Sequence, residues 1–209
     1  MKIKESKTGV MKFNFSKSQD FPPELVIEGF KDQIQVISET KLLGIILTND
    51  LKWAANTQYI CKKAHKNMWK LRRLKVLEVD SSILLDVYMK EVRSVVELAV
   101  PAWHSGLTLA QAADIERVQK VAVSIILSGV NSYSNALDAL KLDSLGARRI
   151  QLSRNFAKKT TKSRHADMFG DQHKHDTRAK TKFYEQHSKK GRYFNSPLNF
   201  LTRLLNSEL

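Results

Sequence analysis

Six cations and one indole between positions 62 and 73 are the side chains of this sequence best placed to act on a partner. At 100° per residue, Lys62, Lys66, Lys70 and Arg73 fall in one stripe, with Trp69 at its edge. Ile60, Ala64, Asn67, Leu71 and Leu74 form the opposite stripe. Such a helix packs one side on a core and turns ammonium and guanidinium groups outward. Cations hold phosphates and an aromatic ring stacks on bases, so the pattern supports backbone-directed binding of nucleic acid. Lys63 and Arg72 widen the same face. A solvated charged face, with Trp69 packed under a neighbouring helix, is the alternative that the residues leave open.

Other chemistry has less behind it. His173 and His175, with His165 and His187 nearby, lie in a segment without cysteine, and solvated imidazoles are the reading we take. Metal ligands are therefore none. Cys61 has lysines beside it that would favour a thiolate, but no positioned base accompanies it. Trp103 and His104 beside Pro101 read as packing at a helix end. Neither a phosphate-cradling glycine loop nor a Gly-x-Ser-x-Gly elbow occurs.

The elements that must carry the basic face follow from periodicity. Val10 to Phe15 alternates, placing Met11, Phe13 and Phe15 on one side. Leu25–Phe30 and Ile34–Ile37 are two further short strands. Leu42 to Thr48 is apolar almost throughout and is expected to be covered on both faces. From Trp53 the period becomes helical, with helices expected over about 54–75, 81–99 and 109–128. The second should bury Leu84, Val87, Tyr88, Val92, Val95 and Leu98. The third opens on a capping box, Thr108 to Gln111, and should bury Ala112, Ile115, Val118, Ala122, Ile125 and Ile126. Shorter helices follow near Ser134–Leu140 and from Asp143, the latter with Leu145, Ile150, Leu152 and Phe156 apolar. The fold class is α+β: a small, mainly antiparallel N-terminal sheet (1–52), a helical bundle (53–160) and a basic arm ending in a short helix (161–209).

Composition sets the partner class. The 209 residues hold 35 Lys and Arg against 21 Asp and Glu, a net charge of +14, which favours a polyanion. Between Lys158 and Arg192 eleven cations face four acids, the mark of a largely disordered basic arm, so residues 165–195 are expected to pack poorly. One cysteine excludes an intramolecular disulfide and fits a reducing, intracellular compartment, nucleus or cytoplasm not distinguished. No apolar run approaches the roughly 20 residues that span a bilayer, and no membrane partner is expected.

Taken in order, the residues resemble the C-terminal part of a non-LTR retrotransposon (LINE-like, jockey-type) reverse transcriptase over most of the chain. Lys7-Thr8-Gly9-Val10-Met11 resembles the Lys-Thr-x-x-Met strand after the catalytic turn of the palm. Lys41-Leu42-Leu43-Gly44-Ile45-Ile46-Leu47, with Leu51-Lys52-Trp53, resembles the primer-grip hairpin. Ile60-Cys61-Lys62-Lys63-Ala64 and Leu71-Arg72-Arg73-Leu74 resemble the first thumb helix. Val92-Arg93 to Glu97 with Pro101-Ala102-Trp103, Ile115-Glu116-Arg117-Val118-Gln119-Lys120, and Leu142-Asp143-Ser144-Leu145 with Arg148-Arg149 are similar to later family segments; Ser94-Val95 departs from the pattern.

The resemblance implies a palm end and thumb, with Leu43, Gly44 and Ile45 primer-grip-like. It also implies that Lys62, Lys63, Lys66, Trp69, Lys70, Arg72 and Arg73 contact RNA, DNA or an RNA–DNA hybrid. In a complete parent enzyme Mg²⁺ ions sit between closely spaced carboxylates. This chain has no Asp-Asp pair, and the resemblance begins just after that turn, so no catalytic residue and no cofactor are assigned to it. The implied function is a remnant or truncated RNA-directed DNA polymerase that keeps its template–primer surface. The alternative is a non-enzymatic basic helical module with no nucleic-acid role.

Overall fold

The computed structural model describes residues 8–13, 34–129, 132–170 and 183–207. Within them the chain is α+β and mostly helical. Among the described residues the β-strands are shorter than the alternation suggests. β1 (Gly9–Val10) and β2 (Gln35–Val36) pair parallel, and β3 (Glu39–Leu42) pairs antiparallel with β4 (Ile45–Thr48). Among the described residues the small N-terminal β-structure consists of the antiparallel β3–β4 hairpin, as expected, and a short parallel β1–β2 pair. Phe13 is exposed beyond the end of β1, while Phe15 and Leu25–Phe30 lie outside the described residues.

The expected strand from Leu42 to Thr48 is corrected: the chain turns back in the middle of it. Leu43 and Gly44 have φ of +47° and +92°, the paired left-handed turn whose twist suits a two-residue hairpin. Leu42 and Leu43 are consequently exposed, and of this run only Ile45 is buried. Gly44 is also needed for space, since a Cβ there would stand 2.9 Å from Leu98 Cδ2. An Asx-type turn then carries the chain into the first helix. Asp50 Oδ1 accepts from Thr48 Oγ1 at 2.7 Å and from Lys52 N at 3.0 Å.

Helix α1 (Ala54–Val76) buries Ile60, Ala64, Met68 and Leu71. The segment after it is not one continuous α-helix. It runs as α2 (Ser81–Val87), a π-helical turn (Tyr88–Arg93), α3 (Ser94–Val96) and α4 (Val100–Trp103), with Ala99 left-handed between the last two. From Leu84 to Val100 its buried residues are Leu84, Tyr88, Val92, Val96 and Val100, one every four positions, and Trp103 is buried at its end. An α-helix drifts by about 40° over four residues, and the wider π turn takes up that drift. Val96 therefore takes a buried position, while Leu98, expected inward, falls in the turn after α3 ends and is exposed.

A 3-10 turn (His104–Gly106) leads to α5 (Leu109–Ile126). The expected capping box is present, Thr108 Oγ1 accepting from Gln111 N and Gln111 Oε1 from Thr108 N. Ile115, Val118, Ala122 and Ile126 are buried against α1 and the π-turn segment. α6 (Tyr133–Leu140) and α7 (Leu145–Thr161) follow. On α7 the expected apolar face holds at Leu145, which is buried, and at Leu152, which is half-buried, and is corrected at two positions. Ile150 and Phe156 are exposed, whereas Arg149, Ser153, Ala157 and Thr160 turn inward. Small residues at that interface let α9 (Pro197–Asn206) and α4 lie close to α7. α8 (Gly191–Phe194) precedes α9. The expected poor packing of residues 165–195 is corrected at two positions. Phe169 and Phe183 are buried with Ala157, Leu201 and Leu205 in a second small core.

Polar side chains lock the bundle. Glu116 accepts from Leu145 N at 3.1 Å, Gly146 N at 3.0 Å and Tyr133 Oη at 2.5 Å, placing a carboxylate at the N-terminus of α7. Gln119 accepts from Tyr88 Oη at 2.5 Å and donates to Tyr133 Oη and Asp143 O, both at 2.9 Å. Glu97 holds Arg93 at 3.3 Å and Arg148 at 3.1 Å. Replacing Glu116 with Ala strands two amides and a hydroxyl at once. We expect urea unfolding of Glu116→Ala to show a loss of about 2–4 kcal/mol; a loss under about 1 kcal/mol contradicts the role given to it.

Candidate nucleic-acid interface

The basic face depends on α1 being fixed at both ends. At its start Trp53 is buried over Gly106, so closely that a Cβ on residue 106 would stand 2.5 Å from the indole Nε1. Asn56 Oδ1 accepts from Ile46 N at 3.0 Å, stitching β4 to the first turn. Lys41 of β3 lies over the Tyr59 ring, 4.8 Å from its centroid. Lys41, and more weakly Lys63, lower the Tyr59 phenol below its usual pKa. At the far end Lys75 Nζ donates to Ile126 O at 3.1 Å, tying α1 to the end of α5.

Between these anchors the structure brings together most of the expected side chains. Lys62, Lys63, Lys66, Arg72 and Arg73 are exposed, and none of them pairs with a carboxylate of the described residues. Trp69 is 56% exposed, so it is not packed under a neighbouring helix. Lys70 belongs elsewhere: its Nζ pairs with Glu91 Oε2 at 2.6 Å. Beside it Asn67 Nδ2 donates to Glu91 O at 2.5 Å, so α1 grips the π turn twice at one residue. No periodicity could place Glu91 there, because its contact crosses between two helices. The wheel had set Asn67 in the apolar stripe; its use is to satisfy that carbonyl.

The primer-grip-like residues divide. Leu43 and Gly44 form the exposed hairpin tip, and Ile45 is in the core. Leu43 is 90% exposed in a left-handed conformation that a leucine adopts only at a cost. The hairpin meets α1 at its first turns, and Arg72 lies roughly 24 Å along the axis from Asn56, at 1.5 Å per residue.

Among the described residues no three His, Cys, Asp or Glu side chains gather as metal ligands. His173 and His175 lie outside the described residues, and His165 and His187 are exposed. Among the described residues no helix is long and apolar enough to cross a membrane. No protein-family model matches the chain, and neither a curated protein nor a solved structure does.

Cys61 sits on α1 one residue before the cationic face, yet it is not activated. Burial, with Asp114 adding to it, pushes the thiol up to about 11, outweighing Arg117 and Arg149. A thiol at that value holds well under about a hundredth of the thiolate of free cysteine near pH 8. We expect iodoacetamide to alkylate Cys61 at least tenfold more slowly than free cysteine at pH 8, with the rate still climbing above pH 10. A rate that levels off near pH 8.5 contradicts this.

Proposed function

We propose that the chain is the palm-end and thumb portion of a non-LTR-retrotransposon-type reverse transcriptase, and that its own activity is binding of duplex or hybrid nucleic acid through phosphates. The observation that carries the reading is the unpaired cationic face of α1, with Lys62, Lys63, Lys66 and Arg73 around an exposed Trp69. Two further features support it. Side chains within the resembling segments form the polar frame: Gly44 at the hairpin tip, Trp53 at the entry to α1, Arg93, Glu97 and Arg148 in one cluster, Glu116 and Gln119 in another. An exposed leucine held at positive φ at the hairpin tip is a strained feature of the kind that marks contact sites.

Mechanistically the face positions a partner and does no bond chemistry. Each cation that meets a phosphate releases condensed counterions, which makes affinity fall with salt by a log–log slope of about 0.9 per contact on duplex DNA. Base identity is not read by such contacts. Lys70 contributes less than its place on the wheel suggests, because Glu91 already neutralises it.

Replacing Lys62 and Lys66 by Ala in the full chain should flatten the salt slope by roughly two units on duplex DNA, with thermal stability unchanged and little change in sequence preference. The full chain is required, since Leu201 and Leu205 of α9 pack on Ala157 of α7 and cannot be cut away without opening that core. An unchanged slope removes α1 from the binding surface and leaves the reading as a non-enzymatic helical module. Separately, the chain by itself should add no nucleotide to a primed template with Mg²⁺ or Mn²⁺; template-dependent extension by purified protein would overturn the assignment of no catalytic residue.

A further inference from the structure

The bundle encloses a charge. Arg149, on the inward face of α7, is only 3% exposed, yet it pairs with no carboxylate of the described residues. Its Nε and Nη1 are buried and have no hydrogen-bond partner among those residues. A guanidinium donates from every edge and stays charged at any pH at which the fold survives. A buried cation without an acceptor is among the most expensive arrangements a core can hold.

The charges that reach Arg149 through space do not supply that acceptor. Burial lowers its pKa, and Glu116 and Cys61 offset this only in part. The Glu116 oxygens are taken by Leu145 N, Gly146 N and Tyr133 Oη. The Cys61 thiol, raised to about 11, is protonated.

The neighbouring side chains offer further donors. Ser153 stands one turn along the same face of α7, fully buried, and its Oγ has no partner among the described residues. The turn His104–Gly106 packs on α7 and brings His104 Nδ1 and Ser105 Oγ, both buried and equally without a partner there. Burial, and then the charge of Arg149, lower the His104 imidazole to about 4, so it is neutral at pH 7. A neutral imidazole can carry its proton on Nδ1, and a hydroxyl turns its proton toward an acceptor. α9 packs over both α7 and the turn, with Phe200 edge-on to the His104 ring at 5.3 Å between centroids.

We propose that Arg149, Ser153 and the His104–Ser105 turn hold a chloride ion between α7 and that turn. A single atom suits side chains this enclosed, and a halide accepts from N–H and O–H groups in any direction. One negative charge balances one guanidinium, whereas a phosphate dianion would add repulsion from the nearby Glu116 carboxylate. The proposal stands apart from the nucleic-acid reading, since none of its residues belongs to the cationic face of α1.

The test is thermal unfolding of the full chain in mixtures of sodium chloride and sodium gluconate at one ionic strength. Screening is then equal, and gluconate is too large for an enclosed site. The wild-type Tm should rise by roughly 3–5 °C for each tenfold increase in chloride above the Kd. Arg149→Met keeps the volume and removes the charge. It should lose that rise and, in gluconate alone, melt at or above the wild type. Comparing the two proteins cancels the general effect of either anion on the solvent. Lys62→Ala with Lys66→Ala should keep the full chloride response. A second measurement needs no variant: crystals grown in sodium bromide should show an anomalous peak within hydrogen-bonding reach of Arg149 Nε or Nη1.

An equal chloride response in wild type and Arg149→Met overturns the proposal. So does a variant that melts lower by the same amount in both salts, which would give Arg149 a packing role alone. If Arg149→Met does not fold, the bromide peak decides: its presence at Arg149 supports the site and its absence overturns it.

Discussion

One constraint governs this structure: the helical segment after α1 must keep a single face against the core from Leu84 to Val96. Leu84, Tyr88, Val92 and Val96 meet that demand at a spacing of four, which a straight α-helix cannot hold. Over those twelve residues an α-helix would turn its face through about 120°. The π turn at Tyr88–Arg93 absorbs the difference, and its cost is met from α1. Asn67 satisfies the Glu91 carbonyl and Lys70 holds the Glu91 carboxylate. Tyr88, at the first position of the turn, passes its hydroxyl to Gln119 and so links the turn to α5 and, through Tyr133 and Glu116, to the start of α7.

That arrangement explains the division of labour on α1. Its inner side contributes Ile60, Ala64, Met68 and Leu71 to the core. One flank, at Asn67 and Lys70, braces the π turn, and the outer side keeps its cations unpaired around Trp69. A helix stitched to β4 through Asn56, to the π turn through Asn67 and to α5 through Lys75 holds those cations at fixed spacing. Fixed spacing lets several phosphate contacts form without ordering the scaffold anew each time.

Much of this was legible in the residues. The cationic and apolar stripes of α1, the Thr108–Gln111 box and the core positions of α5 follow from a 3.6-residue period, because each is decided within one helix. What escaped was decided between elements. The apolar run Leu42–Leu47 read as one strand, since nothing in an Leu-Gly pair announces that Leu43 will accept a positive φ. Four-residue spacing in the second helix is invisible to a wheel drawn at 100°, which put Leu98 inside. The inward face of α7 was missed because Arg149, Ser153 and Thr160 are polar, and it is the approach of α4 and α9 that buries them. Charge counting treated the last fifty residues as an arm, while four side chains in it, Phe169, Phe183, Leu201 and Leu205, were enough to close a second core.

The central claim is that a rigid α1 presents unpaired cations to phosphates. Lysine acetylation measured residue by residue, with and without a saturating blunt duplex at low salt, tests it most directly. The account predicts strong protection of Lys62, Lys63 and Lys66, with Lys90, on the exposed side of the π turn and paired with Asp86, reacting as before. Protection spread evenly over all lysines, or absent from those three, would contradict it.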